Sequence, residues 1–374
     1  MSIVPADPAE TLAADTVDAV LPASRGFWSE AWRRFRRRGL AMAALVYVLL
    51  LTLVAIFAPA IAGTKPIVAF YKGSYYFPAL GYVYREWENP IFQKDRFRQI
   101  YPQNLEKKDP KSWAIWPLVY QDPYRRIREN EWPDQPENPS RADGHPSRHN
   151  WFGTTQAGID VFAQMVHGTR VALLVGFVSM SIAATIGIIL GALAGYVGGK
   201  LDMLVSRFIE LVMCIPTLVL ILALIALLEK PTIWHIMAVI GVTGWTSIAR
   251  LTRAEFIKLR QIDFVTAAEA IGVSGLRIMF RYILPNALAP ILVPITFGIA
   301  SAILTESALS FLGVGAPPPN PSWGKLLDLA RGNPLQMWWL VVFPGAAIFL
   351  AVLAYNLIGE GLQEATDPRL RGGR

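Results

Sequence analysis

Six long apolar runs most constrain how this chain can fold. They cover residues 40–61, 171–195, 208–228, 233–248, 288–306 and 339–358. A hydrocarbon layer about 30 Å thick is crossed by about 20 helical residues, because a helix satisfies its backbone polar groups internally. The runs therefore predict an all-α, six-span membrane protein.

The composition agrees with a membrane protein. Hydrophobic residues make up 53% of the chain and charged residues 17%, compared with about 25% charged in soluble domains. The net charge of +7 does not predict nucleic-acid binding, because basic residues of membrane proteins collect in cytoplasmic loops. A single cysteine, Cys214, excludes an intramolecular disulfide.

Basic residues beside the runs predict the orientation. Six arginines precede the first run, and the 249–287 loop on the same side carries six more basic residues. The short loops of the opposite side offer Lys230, Lys325 and Arg331. The positive-inside rule therefore places both termini in the cytoplasm and residues 62–169 outside an inner (plasma) membrane.

The runs divide the chain into four parts. We expect a cytoplasmic N-terminal tail at 1–39, disordered over the first 24 residues, and a first transmembrane anchor at 40–61. An extracytoplasmic insertion follows at 62–169, and a five-span core with the cytoplasmic loop 249–287 occupies 170–374. A cleaved signal peptide competes with the anchor, but its apolar core is usually about 7–15 residues long.

Two local patterns stand out in the insertion. The β-prone runs around Lys72-Gly73, within Ile67–Phe77, predict a hairpin. Residues 122–130 are interpreted as short helical pieces.

The 249–287 loop contains a paired amphipathic pattern. Two sets of residues each follow the i, i+3, i+4, i+7 spacing of one helical face: Phe264, Ala267, Ala268 and Ile271, then Leu276, Met279, Phe280 and Ile283. Gly272 separates the sets, Ser274 is a candidate N-cap, and Leu284-Pro285 is expected to stop the second helix. Three interpretations stay open: a docking element, a helix on anionic lipid, and packing against the chain's own helix ends.

The loop resembles the coupling loop of ABC-importer permeases, whose pattern is EAA, three residues, Gly, nine residues, Ile, one residue, Leu-Pro. Ala267, Ala268, Gly272, Leu284 and Pro285 match its spacing, whereas Thr266 replaces the Glu and Tyr282 the Ile. Both departures are similar to those of the peptide-importer branch, which the chain also resembles at Phe264, Val265 and Asn286.

Three further blocks resemble peptide permeases and occur in the same order. They are His149–Gly176, Thr305–Gly324 and Gly359–Arg371. The long first loop, beginning KPIVAFYKGSYYFP, is most similar to the Yej-type branch of oligopeptide and microcin C permeases.

The resemblance implies a type I ABC-importer permease, all-α and six-span, with a large mixed extracytoplasmic insertion after the first span. It implies a homologous second permease subunit, two cytoplasmic ATPase domains, an extracytoplasmic substrate-binding protein and a lipid bilayer as partners, and import of oligopeptides by alternating access. The implied ATPase-coupling residues are Phe264, Val265, Ala267, Ala268, Gly272, Arg277, Arg281, Leu284, Pro285 and Asn286. Glu306 and Ser307 are candidates for the translocation path.

Catalytic motifs are absent from the sequence. It holds no GxxxxGK[ST] and no GxSxG, and its four histidines lack zinc-binding spacing, so we expect no cofactor, no metal and no enzyme activity in this chain. Ionisable residues are scarce within the runs, so the energy for uphill transport must enter from outside them. Alternatives are a nickel or opine importer, and a membrane scaffold that binds partners through residues 62–169.

Overall fold

The computed structural model describes residues 27–84, 87, 109–127, 144–317 and 319–366. The predicted disorder of residues 1–24 lies outside the described residues. The described helices are α1 (Phe27–Arg36), α2 (Gly39–Ile61), α3 (Val161–Val197), α4 (Gly199–Met213), α5 (Thr217–Ala226), α6 (Ile233–Gly244), α7 (Thr246–Arg260), α8 (Asp263–Ala270), α9 (Gly275–Phe311), α10 (Trp323–Leu329) and α11 (Trp339–Thr366). A 3₁₀-helix spans Pro78–Tyr82. The helical fold class is confirmed.

The number of helices that could cross a membrane differs from the six that the apolar runs predict. Among the described residues, α2, α3, α9 and α11 are each long and apolar enough to span a membrane. The third run is divided into α4 and α5, which meet at an angle of 84°. Pro216 causes the break, because proline lacks an amide hydrogen and disfavours helical geometry in the preceding residue. The structure thus contains four spans, or five if α4 and α5 form one.

The fourth run also differs from a single spanning helix. Its apolar part, α6, is only 12 residues long. Trp245 then keeps helical backbone angles and joins α6 to the more polar α7. Neither helix alone has the length and apolarity of a span.

The core of the bundle is built on close contact between α3 and α7. Gly187, Gly191 and Gly195 lie four residues apart on α3 and face α7. A Cβ at Gly191 would lie 2.5 Å from the carbonyl oxygen of Ala249. Small residues at this spacing allow the two helices to approach closely.

The segment between α2 and α3, of which residues 62–84, 87, 109–127 and 144–160 are described, contains a three-stranded sheet in the order β2-β1-β3. Its strands are β1 (Val68–Tyr71), β2 (Ser74–Tyr76) and β3 (Trp113–Ile115), and β1 pairs antiparallel with both neighbours. The turn residues Lys72 and Gly73 both have positive φ, 49° and 80°, as a type I′ hairpin requires. The hairpin prediction is confirmed. The helical interpretation of 122–130 is wrong over 122–127, which are irregular, and the rest lies outside the described residues.

Buried polar groups tie this segment together and attach it to α3. The Asp122 Oδ2 atom accepts hydrogen bonds from Thr64 Oγ1 at 2.8 Å and Tyr82 Oη at 3.0 Å. His167 Nε2 lies 2.8 Å from the carbonyl oxygen of Ala62. Burial, followed by the charge of Asp122, raises the pKa of Tyr82 well above its usual value, so Tyr82 stays protonated and donates.

The basic segment before the first span forms the helix α1. Ala31 and Phe35 are buried one turn apart, and Arg34 pairs with Glu30 at 2.5 Å along the helix. Phe35 packs against Gly361 near the end of α11. The described part of the predicted tail is therefore a docked helix.

Candidate functional site

The first helix of the candidate site, α8, is amphipathic as predicted. Its spacing places Val265 and Ala268 on one side, where both are buried against α7 and the start of α9. Asp263 lies in the first turn, where a negative charge is favourable to the helix dipole. One side of α8 is thus fixed to the chain's own bundle, as the third interpretation of the loop expected.

The other side of α8 and the turn after it carry uncovered apolar groups. Phe264 is 37% exposed and Ile271 is 80% exposed, and Ala267 is also exposed. Leu276 and Phe280, at the start of α9, are 66% and 48% exposed. We call these five residues the exposed loop face. Apolar side chains grouped in this way are characteristic of an interaction surface.

Gly272 terminates α8 in the way the sequence predicts. Its φ is 80°, a conformation that glycine adopts without the steric cost of a Cβ. The Gly272 amide donates to the Glu269 carbonyl oxygen at 3.0 Å, and the Val273 amide to that of Ala268 at 3.1 Å. These two bonds form a Schellman motif, so the direction of the turn is fixed by hydrogen bonds.

The second helix of the loop does not stop where the sequence predicts. Ser274 occupies the N-cap position of α9, although its side chain makes no capping hydrogen bond. The helix continues through Leu284 and Pro285 to Phe311. Residues Ile278–Ile283 adopt π-helical geometry, and this wider turn accommodates the proline that would otherwise break an α-helix. The predicted stop at Leu284-Pro285 is wrong.

The remaining predicted residues at this end occupy mixed environments. Leu284 is half-buried, whereas Pro285 and Asn286 are exposed. The Asn286 Nδ2 atom donates to the carbonyl oxygen of Tyr282 at 2.7 Å. Met279 and Ile283 face inward and are buried, so the start of α9 is anchored on one side and open on the other.

Polar contacts with the end of α3 support the loop. The guanidinium of Arg260 donates to the Tyr196 carbonyl oxygen at 2.7 Å. The Tyr196 hydroxyl donates to the Glu269 Oε1 atom at 3.4 Å, and Gly275 packs on the same ring. Sequence reasoning missed these contacts, because the residues are distant along the chain and no motif links them.

Two predicted arginines add positive charge to this surface. Arg277 and Arg281 are exposed, and neither forms an ion pair with another residue of the described ranges. By contrast, Arg253 on α7 donates to both carboxylate oxygens of Asp202 on α4. The two loop arginines therefore remain available to an acidic surface.

Glu306 and Ser307 lie on α9, away from the loop. Glu306 is buried and accepts a hydrogen bond from Ser310 Oγ at 2.6 Å. Ser310 in turn accepts from the Ala316 amide at 3.1 Å, which ties the loop after α9 to the helix. Ser307 is buried and lines an apolar cavity of about 710 Å³ between α9, α10 and α11.

Comparison with known families identifies the core. Residues 187–372 match the family described as "Binding-protein-dependent transport system inner membrane component". Residues 26–76 match the "N-terminal TM domain of oligopeptide transport permease C". The loop and the helices α7–α9 lie within the first match.

Two curated relatives extend the match over most of the chain. The inner membrane ABC transporter permease protein YejE of Escherichia coli (strain K12) is 35% identical over 341 residues, which are 90% of this chain and 96% of the relative. The dipeptide transport system permease protein DppC of Alkalihalophilus pseudofirmus is 42% identical over 234 residues, 63% and 77% of the two chains. This chain therefore belongs to the family of inner membrane components of binding-protein-dependent transport systems, the permeases of ABC importers.

Proposed function

We propose that this permease subunit imports oligopeptides or peptide-like compounds, using ATP hydrolysed on partner chains. The relative named as a dipeptide transport permease and the match to the N-terminal domain of oligopeptide transport permease C support a peptide-type substrate. The observation that carries the coupling part of the proposal is the exposed loop face, because its apolar groups are uncovered although the loop itself is well anchored.

The loop is connected to the bundle in a way that can transmit a displacement imposed by a partner. Val265 and Ala268 of α8 share one core with Ile278, Met279 and Ile283 of α9. The start of α9 and the span that follows are one continuous helix, Gly275–Phe311. A displacement of the exposed loop face is therefore passed directly into a membrane span, with no flexible joint at Pro285.

The positive charge of Arg277 and Arg281 favours an acidic partner surface. Acidic groups on a partner ATPase that covers the exposed loop face would pair with Arg277 and Arg281, which are exposed. Buried interfacial charge pairs fix orientation and register more than they add affinity. We therefore assign anchoring to the apolar groups and alignment to the two arginines.

The proposed topology has six crossings. The third is the bent pair α4–α5, and the fourth combines α6 with the first turns of α7. Both termini and the loop lie in the cytoplasm, while the β-sheet lies outside. A second permease subunit, two ATPase domains and an extracytoplasmic binding protein complete the importer, which works by alternating access with Glu306 and Ser307 near the path.

Substitutions on the exposed loop face test the coupling. Ile271→Asp and Leu276→Asp place a charge on side chains that the chain's own fold leaves open, so the bundle should still assemble. Leu335→Asp is the matched control, because Leu335 is 91% exposed and lies beyond α10. Cells lacking the chromosomal copy are complemented with each variant, and uptake of labelled peptides and co-purifying ATPase are measured.

We expect Ile271→Asp and Leu276→Asp to lose ATPase and uptake together, while Leu335→Asp retains both. A membrane scaffold predicts unchanged uptake in all three strains. Loss of nickel or opine uptake with normal peptide uptake in the deletion strain would overturn the substrate class and leave the coupling intact.

A further inference from the structure

The helix α1 has an exposed face that is aromatic at one edge and basic at the other. Its inner side is fixed by Ala31 and Phe35, which are 7% and 3% exposed. Trp28 and Trp32, one turn apart, lie at the edge next to this inner side and are each 50% exposed. Arg33, Arg36 and Arg37 are exposed beside them.

The position of α1 restricts what can cover this face. Only two residues separate Arg36 at its end from Gly39 at the start of α2, which limits the separation to about 11 Å, three steps of the backbone. Arg38 between them is extended, with φ −87° and ψ 98°, so α1 is not a straight extension of α2. The helix therefore lies where the first span enters the bilayer.

Contacts with α11 hold α1 at the point where the first span begins. Phe35 packs on Gly361, and Arg38 forms an ion pair with Glu364. Trp32 stacks on Phe35 with ring centroids 5.8 Å apart, so its indole is oriented by a side chain that is itself buried. Leu40, in the first turn of α2, is 72% exposed.

We propose that α1 is an interfacial helix that binds the anionic headgroups of the bilayer surface at which α2 begins. Tryptophan favours the membrane–water interface, because its ring is apolar and its N–H needs a polar partner. Arginines next to an apolar face attract anionic lipid. Each basic residue near an anionic bilayer surface strengthens binding to that surface about fivefold. Both preferences are met on the exposed face of α1.

Fluorescence quenching by brominated lipids tests this proposal on the full-length chain. Nanodiscs contain phosphatidylcholine and phosphatidylglycerol in equal amounts, with bromine on the acyl chains of one lipid or the other. The difference between the wild-type protein and Trp32→Phe isolates the signal of Trp32, and Trp28→Phe gives an independent second probe. Both variants keep an aromatic ring, so α1 should still dock on α11.

We expect brominated phosphatidylglycerol to quench Trp32 more strongly than brominated phosphatidylcholine does. The triple variant Arg33→Gln/Arg36→Gln/Arg37→Gln should equalise the two lipids. Arg250→Gln/Arg277→Gln/Arg281→Gln is the matched control, because it removes the same charge from exposed positions elsewhere and should preserve the difference. Added salt should reduce the difference in the wild-type protein.

Two results would overturn the proposal. Equal quenching by both lipids in the wild-type protein would remove the role of the arginines. No quenching by either lipid would show that Trp28 and Trp32 do not lie at the bilayer surface.

Discussion

The backbone amide of Val273 donates to the carbonyl oxygen of Ala268 at 3.1 Å, across the turn at Gly272. This bond fixes the angle between α8 and α9, and both helices contribute to the exposed loop face. The geometry of that face therefore depends on one backbone conformation, the positive φ of Gly272.

Substitutions at Gly272 should separate the effect of backbone strain from the effect of side-chain size. A Cβ at this position would meet nothing within 4 Å, so any effect comes from the left-handed conformation, which costs an L-residue about 1–2 kcal/mol. Gly272→Val should weaken co-purification of the ATPase, while Gly272→Asn, which tolerates this conformation, should stay close to the wild-type protein. Equal binding by the two variants would show that the turn geometry is not needed.

The contact between α3 and α7 should be sensitive to side-chain size. At Gly191 a Cβ would lie 2.5 Å from a backbone oxygen and 2.8 Å from Thr252 Cβ, and neither atom can move without shifting α7. Gly191→Val should therefore reduce the amount of folded protein in the membrane severalfold. Gly345→Ala in α11, where a Cβ meets nothing within 4 Å, is the control. Size-exclusion profiles in detergent measure both, and a normal Gly191→Val profile would contradict the close packing.

The Tyr82 hydroxyl should stabilise the segment between α2 and α3. Tyr82→Phe leaves the Asp122 carboxylate buried with one donor fewer, which we expect to cost about 1–3 kcal/mol. Tyr75→Phe is the matched control, because Tyr75 is 63% exposed and contacts Phe70 and Trp113 through its ring. The midpoint of thermal unfolding should fall for Tyr82→Phe only. A similar fall in both variants would argue against the buried network.

Local signals predicted the local structure well. Gly272, the Lys72-Gly73 turn and the amphipathic spacing of α8 each depend on residues close together in sequence, so their patterns could be read directly. The break at Pro216 and the continuation of α9 through Pro285 were not predicted. A proline alone does not predict a break, because Pro290 and Pro294 lie inside α9 without ending it, so the surrounding tertiary contacts decide whether a proline bends or ends a helix.

The sequence predicted which residues form the candidate site but only part of how they are arranged. Ile271 and Leu276 face outward as a docking surface requires, but Met279 and Ile283 of the same pattern are buried in the chain's own core. Helical periodicity identifies an apolar face without identifying what covers it. The support from Tyr196 and Arg260 depends on packing between distant segments and leaves no pattern in the sequence.

The stability of the segment between α2 and α3 should depend on pH through Asp160. This carboxyl caps α3 by accepting from the Ala163 amide at 2.8 Å, and burial raises its pKa to about 6. The pKa in the unfolded chain is about 3.9, so the folded state holds the proton more tightly. The stability that this group contributes is complete below about pH 4 and is lost as the pH rises through about 6.

Asp160→Asn tests this dependence, because asparagine is also a good N-cap and does not titrate. The midpoint of thermal unfolding of the wild-type protein, relative to Asp160→Asn, should fall as the pH is raised from 4 to 7. A constant difference over this range would mean that the buried carboxyl does not titrate there.

Cysteine labelling should decide which side of the membrane carries the exposed loop face. Cys214 is the sole cysteine of the chain and is exposed, so Cys214→Ala provides a background without thiols. Ser74 in the hairpin and Ser274 in the loop are both exposed and serve as matched sites for a single new cysteine.

In intact cells with a permeable outer barrier, a membrane-impermeant maleimide should label Ser74→Cys and leave Ser274→Cys unlabelled. Disrupting the inner membrane should then make Ser274→Cys reactive, which shows that its thiol is accessible in the folded protein. Labelling of Ser274→Cys in intact cells would place the loop outside, where no ATP-driven partner could bind it, and would refute the proposed coupling.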